Sequence, residues 1–149
     1  MHQPALPRCG EPADPLAATG GPLLVTASFP AVAERSGGAF TGTVTVEAGA
    51  HPVSGVVSPE ADVYVTRGGT VVATPLVKDL LGVPLDILPG ATQTLGATGS
   101  LRACAAAGHP SPDDALPPGA YDVYAVVAVT DDAGGTTVST GGPWSLTVV

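Results

Sequence analysis

From Pro22 onward, apolar side chains recur at every second position along a series of short segments. Leu23, Val25, Ala27 and Phe29 share one face of the first segment. Phe40, Val44 and Val46 share a face of the second, with Thr41, Thr43, Thr45 and Glu47 opposite. Successive side chains of a strand point to opposite faces, so a period of two predicts strands with one face buried. Ala61, Val63 and Val65 face inward from a third strand, with Asp62, Tyr64 and Thr66 outward. Arg67-Gly68-Gly69 then turns the chain into a return strand over Thr70 to Thr74. Ala91 to Leu101 reads as a strand rich in Thr. Tyr121, Val123, Ala125, Val127 and Val129 alternate with Asp122, Tyr124, Val126 and Ala128 in the strongest pattern of the chain. Apolar residues on both of its faces predict a central strand. Asp131–Gly135 is a hairpin loop, and the chain returns over Thr136–Val149 with Trp144, Leu146 and Val148 on one face. Pro143 has no N–H to give a ladder, which predicts an edge or a bulge there.

Other stretches are less regular. Residues 1–21 are aperiodic and rich in Pro, Ala and Gly, and read as an extended N-terminal arm preceding a domain over 22–149. Val53 to Val57 is a short strand or part of a loop. Residues 75–88 are apolar but broken by Pro75, Gly82 and Pro84, with one helical turn around Lys78–Leu81. They cap the core between layers or, through Leu76, Leu80 and Leu81, present a patch to a partner. Residues 103–118 form a long loop. Seven or eight strands at this spacing predict an all-β chain folded as two pleated layers around one interior.

Composition sharpens this picture. Aromatics are 4% of the chain while hydrophobic residues are 44%, so Val, Leu and Ala must fill the core. Twenty Gly and sixteen Pro exclude a helical protein, since each opposes helix interiors. The net charge of -8, with five basic residues, repels phosphate backbones and anionic lipid, so nucleic acid is not an expected partner. There is no apolar run long enough for a transmembrane helix. Cys9 and Cys104 lie in loop-like stretches rather than apolar runs, and a disulfide between them is expected. Closing a loop of that size stabilises by roughly 4–5 kcal/mol on the chain-entropy account. A disulfide in turn implies an extracellular or cell-surface location, as a mature segment without its signal peptide.

Leu116-Pro117-Pro118-Gly119-Ala120-Tyr121 resembles the tyrosine corner at the start of the penultimate strand of immunoglobulin-like and fibronectin type III sandwiches. The resemblance implies an immunoglobulin-like antiparallel β-sandwich of seven or eight strands. In it the Tyr121 hydroxyl bonds a backbone group a few residues upstream, and Gly119, Tyr121 and Trp144 help set the fold. A second resemblance, spanning about half the chain, is to the bacterial intracellular proteinase inhibitor family. It rests on the order of Val63–Thr74, then Leu88-Pro89-Gly90-Ala91-Thr92, then Leu116–Val127. It implies inhibition of a subtilisin-like serine protease. The chain departs from that family in having Val63-Tyr64-Val65 where a Trp-bearing strand is typical, and in its cysteine pair and arm. The layout is also similar to secreted actinobacterial proteins without an established activity.

The candidate chemistry is sparse. Ser, His and Asp occur, but without a Gly-x-Ser-x-Gly elbow. His2, His51 and His109 are far apart in sequence, which does not suit a zinc site. Asp113-Asp114 and Asp131-Asp132 are adjacent loop acids, which more often shape turns than gather calcium. The glycines of Arg67-Gly68-Gly69 and Asp132–Gly135 lack the context of a phosphate loop. The expectation is a non-catalytic binding module, with no cofactor and no metal. It would act in protein or polysaccharide binding or surface assembly, and self-associate through edge strands. The alternative is the protease inhibitor.

Overall fold

A computed structural model of the chain describes residues 6–18, 21–76, 81–104 and 115–149. The described residues form ten strands, one short α-helix and one 3-10 turn at Arg35–Gly37. In chain order the helix and strands are α1 (Asp14–Ala18), β1 (Leu23–Ser28), β2 (Val32–Ala33), β3 (Ala39–Ala48), β4 (Val53–Val57), β5 (Glu60–Arg67), β6 (Thr70–Ala73), β7 (Val83–Ile87), β8 (Thr92–Ser100), β9 (Gly119–Thr130) and β10 (Thr136–Val148). The chain is all-β, as its alternation predicts. Three of the strands, β2, β4 and β7, are short pieces whose sequence is too brief or too Pro-interrupted to show a period.

The strands join in the order β1-β3-β8-β5-β9-β10-β2, with β6 on β5, β4 on β9, and β7 on β4. This is one curled, mixed sheet rather than an antiparallel arrangement throughout. Two pairings are parallel: Glu60 and Ala61 of β5 run beside Gly96 and Ala97 of β8, and Val32 and Ala33 run beside the end of β10. The reason is local. β5 starts beside β8, where Gly96 N–H donates to the Pro59 carbonyl (3.0 Å), and two residues later it pairs with β9. A strand that leaves one neighbour for another partway along its length meets the second in whichever direction it happens to travel.

The sheet curls around a core of Val44, Val46, Val63, Val65, Val123, Ala125, Leu146 and their neighbours, all buried. The period-two positions named from the sequence supply this core. Burying a Val or Leu side chain fully contributes about 1.5–3 kcal/mol each, which offsets the backbone entropy lost on ordering. Three aromatics pack across the curl of the sheet. Phe29 meets Phe40 edge-on at 5.6 Å between centroids and Trp144 at 5.8 Å. Gly99 leaves the space for Phe40, since a Cβ there would lie 2.2 Å from its ring. The β9–β10 register shifts between Gly141 and Trp144, around Pro143.

Part of the outward side of β5 and β9 is covered, although Asp122, Ala128 and Thr130 stay exposed. Tyr64 and Thr66, expected to face water, are 7% and 2% exposed. The described part of the N-terminal arm lies over Tyr64, with Ala13, Leu16, Tyr64, Val71, Tyr124 and Val126 forming a second apolar cluster, while Thr66 Oγ1 donates to the Asp122 carbonyl (3.2 Å). The arm also runs along the free edge of β6. Gly10 N–H donates to the Val71 carbonyl (2.9 Å), Val71 N–H to the Glu11 carbonyl (3.0 Å) and Ala13 N–H to the Gly69 carbonyl (2.8 Å). An otherwise open sheet edge is thereby covered. The arm is therefore not merely extended: it ends in α1 and packs against the sheet.

Candidate functional site

Cys9 and Cys104 form the expected disulfide, with Cα atoms 5.8 Å apart and 95 residues between them in sequence. It fixes the start of the arm beside β6, where Cys104 N–H donates to the Val72 carbonyl.

At the other end of β6 and β5 lies the corner before β9. The Tyr121 ring is buried, and its hydroxyl donates to the Pro117 carbonyl four residues upstream. Arg67 Nη1 donates to the same hydroxyl (3.1 Å), and its guanidinium carbon sits 5.0 Å from the ring centroid. Gly119 lies beside them in a backbone conformation that favours glycine. Its φ is +147°, and a Cβ would fall 2.6 Å from Arg67 Nη2. Around Arg67 is a polar hollow of about 140 Å³, lined by Thr66–Gly68, Ala120–Asp122 and Ser145–Thr147. Trp144 is half-buried against Phe29 in the aromatic group.

Of the apolar patch, Leu81 is 90% exposed and Leu76 is 39% exposed, while Leu80 lies outside the described residues. The core under this segment is capped instead by Leu85 and Ile87 of β7. Gly82 sits against the Val56 side chain, so Leu81 adjoins another exposed apolar residue. The helical turn expected at Lys78–Leu81 falls largely outside the described residues, as do His2, His109, Asp113 and Asp114. Among the described residues, no three His, Cys, Asp or Glu side chains gather closely enough to hold a metal ion. Asp131 acts as a turn former: its Oδ1 accepts from the Ala133 and Gly135 N–H groups at 3.0 and 2.9 Å. No helix among the described residues is long and apolar enough to cross a membrane.

The most distinctive surface is the outer face of β1, β3 and β8. Register places Thr26, Thr45 and Thr94 in one row across the three strands. Ser28 and Thr43 share the next row with Gly96, and Thr41 and Thr98 the row after. Leu24, Glu47 and Thr92 form the row on the other side. Adjacent strands lie about 4.8 Å apart and alternate residues along a strand about 6.7 Å, so the hydroxyls make a regular two-dimensional array. Thr26, Thr41, Thr43, Thr92 and Thr94 are exposed. Thr98 Oγ1 donates to Glu60 Oε1 (3.0 Å), and Thr26 Oγ1 to the Thr45 carbonyl (3.4 Å). Each hydroxyl can both donate and accept, and the carboxylates of Glu47 and Glu60 stand on the same face. The alternation over Thr41–Glu47 hinted at this surface. Its assembly from three strands depends on the pairing.

Two tyrosines on the opposite side have perturbed acidity. Burial under the arm pushes the Tyr64 hydroxyl above its ordinary value of 10.0, with the Asp62 charge adding to it. Burial raises Tyr124 likewise, helped by Asp122 and Asp14.

No known protein family matches the chain, and no curated protein does. Among solved structures it is similar to β-glucosidase from Listeria innocua. The mutant enzyme with laminaribiose is 15% identical at a TM-score of 0.45, over 87% of this chain. The complexes with gluconolactone and glucose are 14% and 15% identical at 0.44, over 86%. This chain spans 16% of the length of those enzymes.

Proposed function

We propose that the chain is a non-catalytic, immunoglobulin-like or fibronectin type III-like module that acts outside the cell or at its surface, binding a polysaccharide through the hydroxyl face of β1, β3 and β8. The observation that carries this reading is the in-register Thr array. A hydrated polysaccharide offers alternating donors and acceptors, and a rigid sheet of hydroxyls answers it without ordering long side chains. The Cys9–Cys104 bond supports an oxidising location. The Tyr121 hydroxyl bonded to the Pro117 carbonyl supports the immunoglobulin-like reading of the fold.

The test is retention on a panel of insoluble and gel-immobilised polysaccharides. Replacing Thr45 and Thr94 together by Val keeps the shape and removes two neighbouring hydroxyls. At least one polysaccharide should retain the parent protein, and the Thr45→Val/Thr94→Val variant should bind it at least tenfold more weakly with its circular dichroism unchanged. A variant retained as well as the parent, or a parent retained by nothing, would remove the polysaccharide reading.

A further inference from the structure

The hydroxyl face of β1, β3 and β8 carries acid but no base. None of its three strands holds a Lys or Arg, and the chain has a net charge of -8. Thr26, Thr45 and Thr94 form a row with a carboxylate on either side of it. Glu47 stands between Leu24 and Thr92 in the row to one side. On the other side Ser28, Thr43 and Gly96 share a row that Glu60 of β5 extends. Gly96 has no side chain, so the face dips there. The wall of the dip is Glu60, whose Cγ lies 3.4 Å from the place a Gly96 Cβ would take. Glu60 Oε1 accepts from Thr98 Oγ1 (3.0 Å) in the row beyond.

Given the polysaccharide reading, on which this rests, we propose that the polymer is an amino-bearing polysaccharide, a β-1,4-linked chain of glucosamine units with free amines. A carboxylate only accepts hydrogen bonds, and an ammonium group only donates them. Bonds between the two are charge-assisted and stronger than bonds between neutral groups. The sugar hydroxyls, which both donate and accept, meet the threonines. Neighbouring strands are about 4.8 Å apart, close to the advance of such a polymer per sugar, so successive units laid along the Thr26–Thr45–Thr94 row meet successive strands. Each unit is turned over relative to the last. Its amines therefore project alternately to the two sides of the row, one side holding Glu47 and the other Glu60. A polysaccharide with carboxylate or sulfate groups meets like charge on this face, and a neutral one gains nothing from either charge.

The experiment measures retention of the full chain on gels of deacetylated chitin, acetylated chitin and carboxymethylated glucan. It is run in low salt, at a pH where amines carry protons and carboxylates do not. The deacetylated polymer should retain the parent most strongly, the acetylated one more weakly and the carboxymethylated one not at all. Glu47→Gln is nearly isosteric and should keep the parent's circular dichroism. It should weaken retention on the deacetylated polymer about threefold, the scale of one exposed ion pair, and Glu47→Lys should weaken it further. Asp132→Asn removes the same charge from the β9–β10 loop and should leave retention unchanged. Equal retention on the acetylated and deacetylated polymers would overturn the assignment of amines and leave the polysaccharide reading standing. Equal losses in Glu47→Gln and Asp132→Asn would do the same, since net charge alone would then explain the binding. Immobilised polylysine that holds the parent as firmly, with the same loss in Glu47→Gln, would overturn it in favour of a basic peptide. Retention by no polysaccharide would remove both readings together.

Discussion

Removing one hydroxyl tests how the corner before β9 holds the fold. In Tyr121→Phe the ring stays buried, but the bond from the hydroxyl to the Pro117 carbonyl and the bond from Arg67 are both lost. A neutral intramolecular hydrogen bond contributes about 0.5–1.5 kcal/mol net. Pro117 is exposed, so its carbonyl regains water, and the larger penalty of a stranded buried acceptor does not apply. Arg67 is exposed too, and its guanidinium is solvated in the variant, so the second bond adds only a few tenths. The sum is about 1–2 kcal/mol. For a chain of 149 residues this lowers Tm by roughly 2–8 °C. Urea unfolding of both proteins measures it: the midpoint should fall while the slope, set by the surface exposed on unfolding, stays the same. A cycle with Arg67→Met should show coupling of a few tenths of a kcal/mol between Arg67 and Tyr121. If Tyr121→Phe shifts stability by less than about 0.3 kcal/mol, the hydroxyl does not pin the corner, and the reasoning fails.

Other outcomes follow from the same structure. Gly119→Ala should destabilise by about 1–3 kcal/mol, because φ of +147° strains a side chain that would also press on Arg67; denaturant midpoints report it. Leu85→Ala should lose about 2–5 kcal/mol, whereas Leu81→Asp should stay within about 0.5 kcal/mol, since one side chain is buried and the other open; equal effects would contradict their placement. Breaking Cys9–Cys104 should cost less than the roughly 4.7 kcal/mol of the chain-entropy account. The freed arm regains freedom in the folded state as well as the unfolded one, and oxidised and reduced unfolding curves give the difference. Tyr64 and Tyr124 keep their protons above the ordinary value in the folded chain but not in the unfolded chain. Above pH 10 the unfolded state therefore binds fewer protons, and stability falls as pH rises from there through the raised folded-state values. Tyrosinate absorbance in Tyr121→Phe should rise at higher pH in the folded protein than in denaturant.

By itself the sequence determined which segments are strands and which side chains lie inside. Val44, Val46, Val63, Val65, Val123 and Leu146 were all legible, because a pleated strand turns successive residues to opposite faces whatever it pairs with. The turn at Arg67–Gly69 and the loop shaped by Asp131 were legible for the same local reason. The tertiary structure alone decided the partners. β5 joins β8 to β9 and makes the sheet mixed, a matter of where a crossing strand lands. Tyr64 obeys the alternation yet is dry, because a segment some fifty residues earlier lies over it. The hydroxyl array exists only once Thr26, Thr45 and Thr94 stand side by side. Period encodes the face of a strand, which is a local property; register, coverage and the neighbours across a sheet are set by contacts between residues far apart in the chain, and no local pattern carries them.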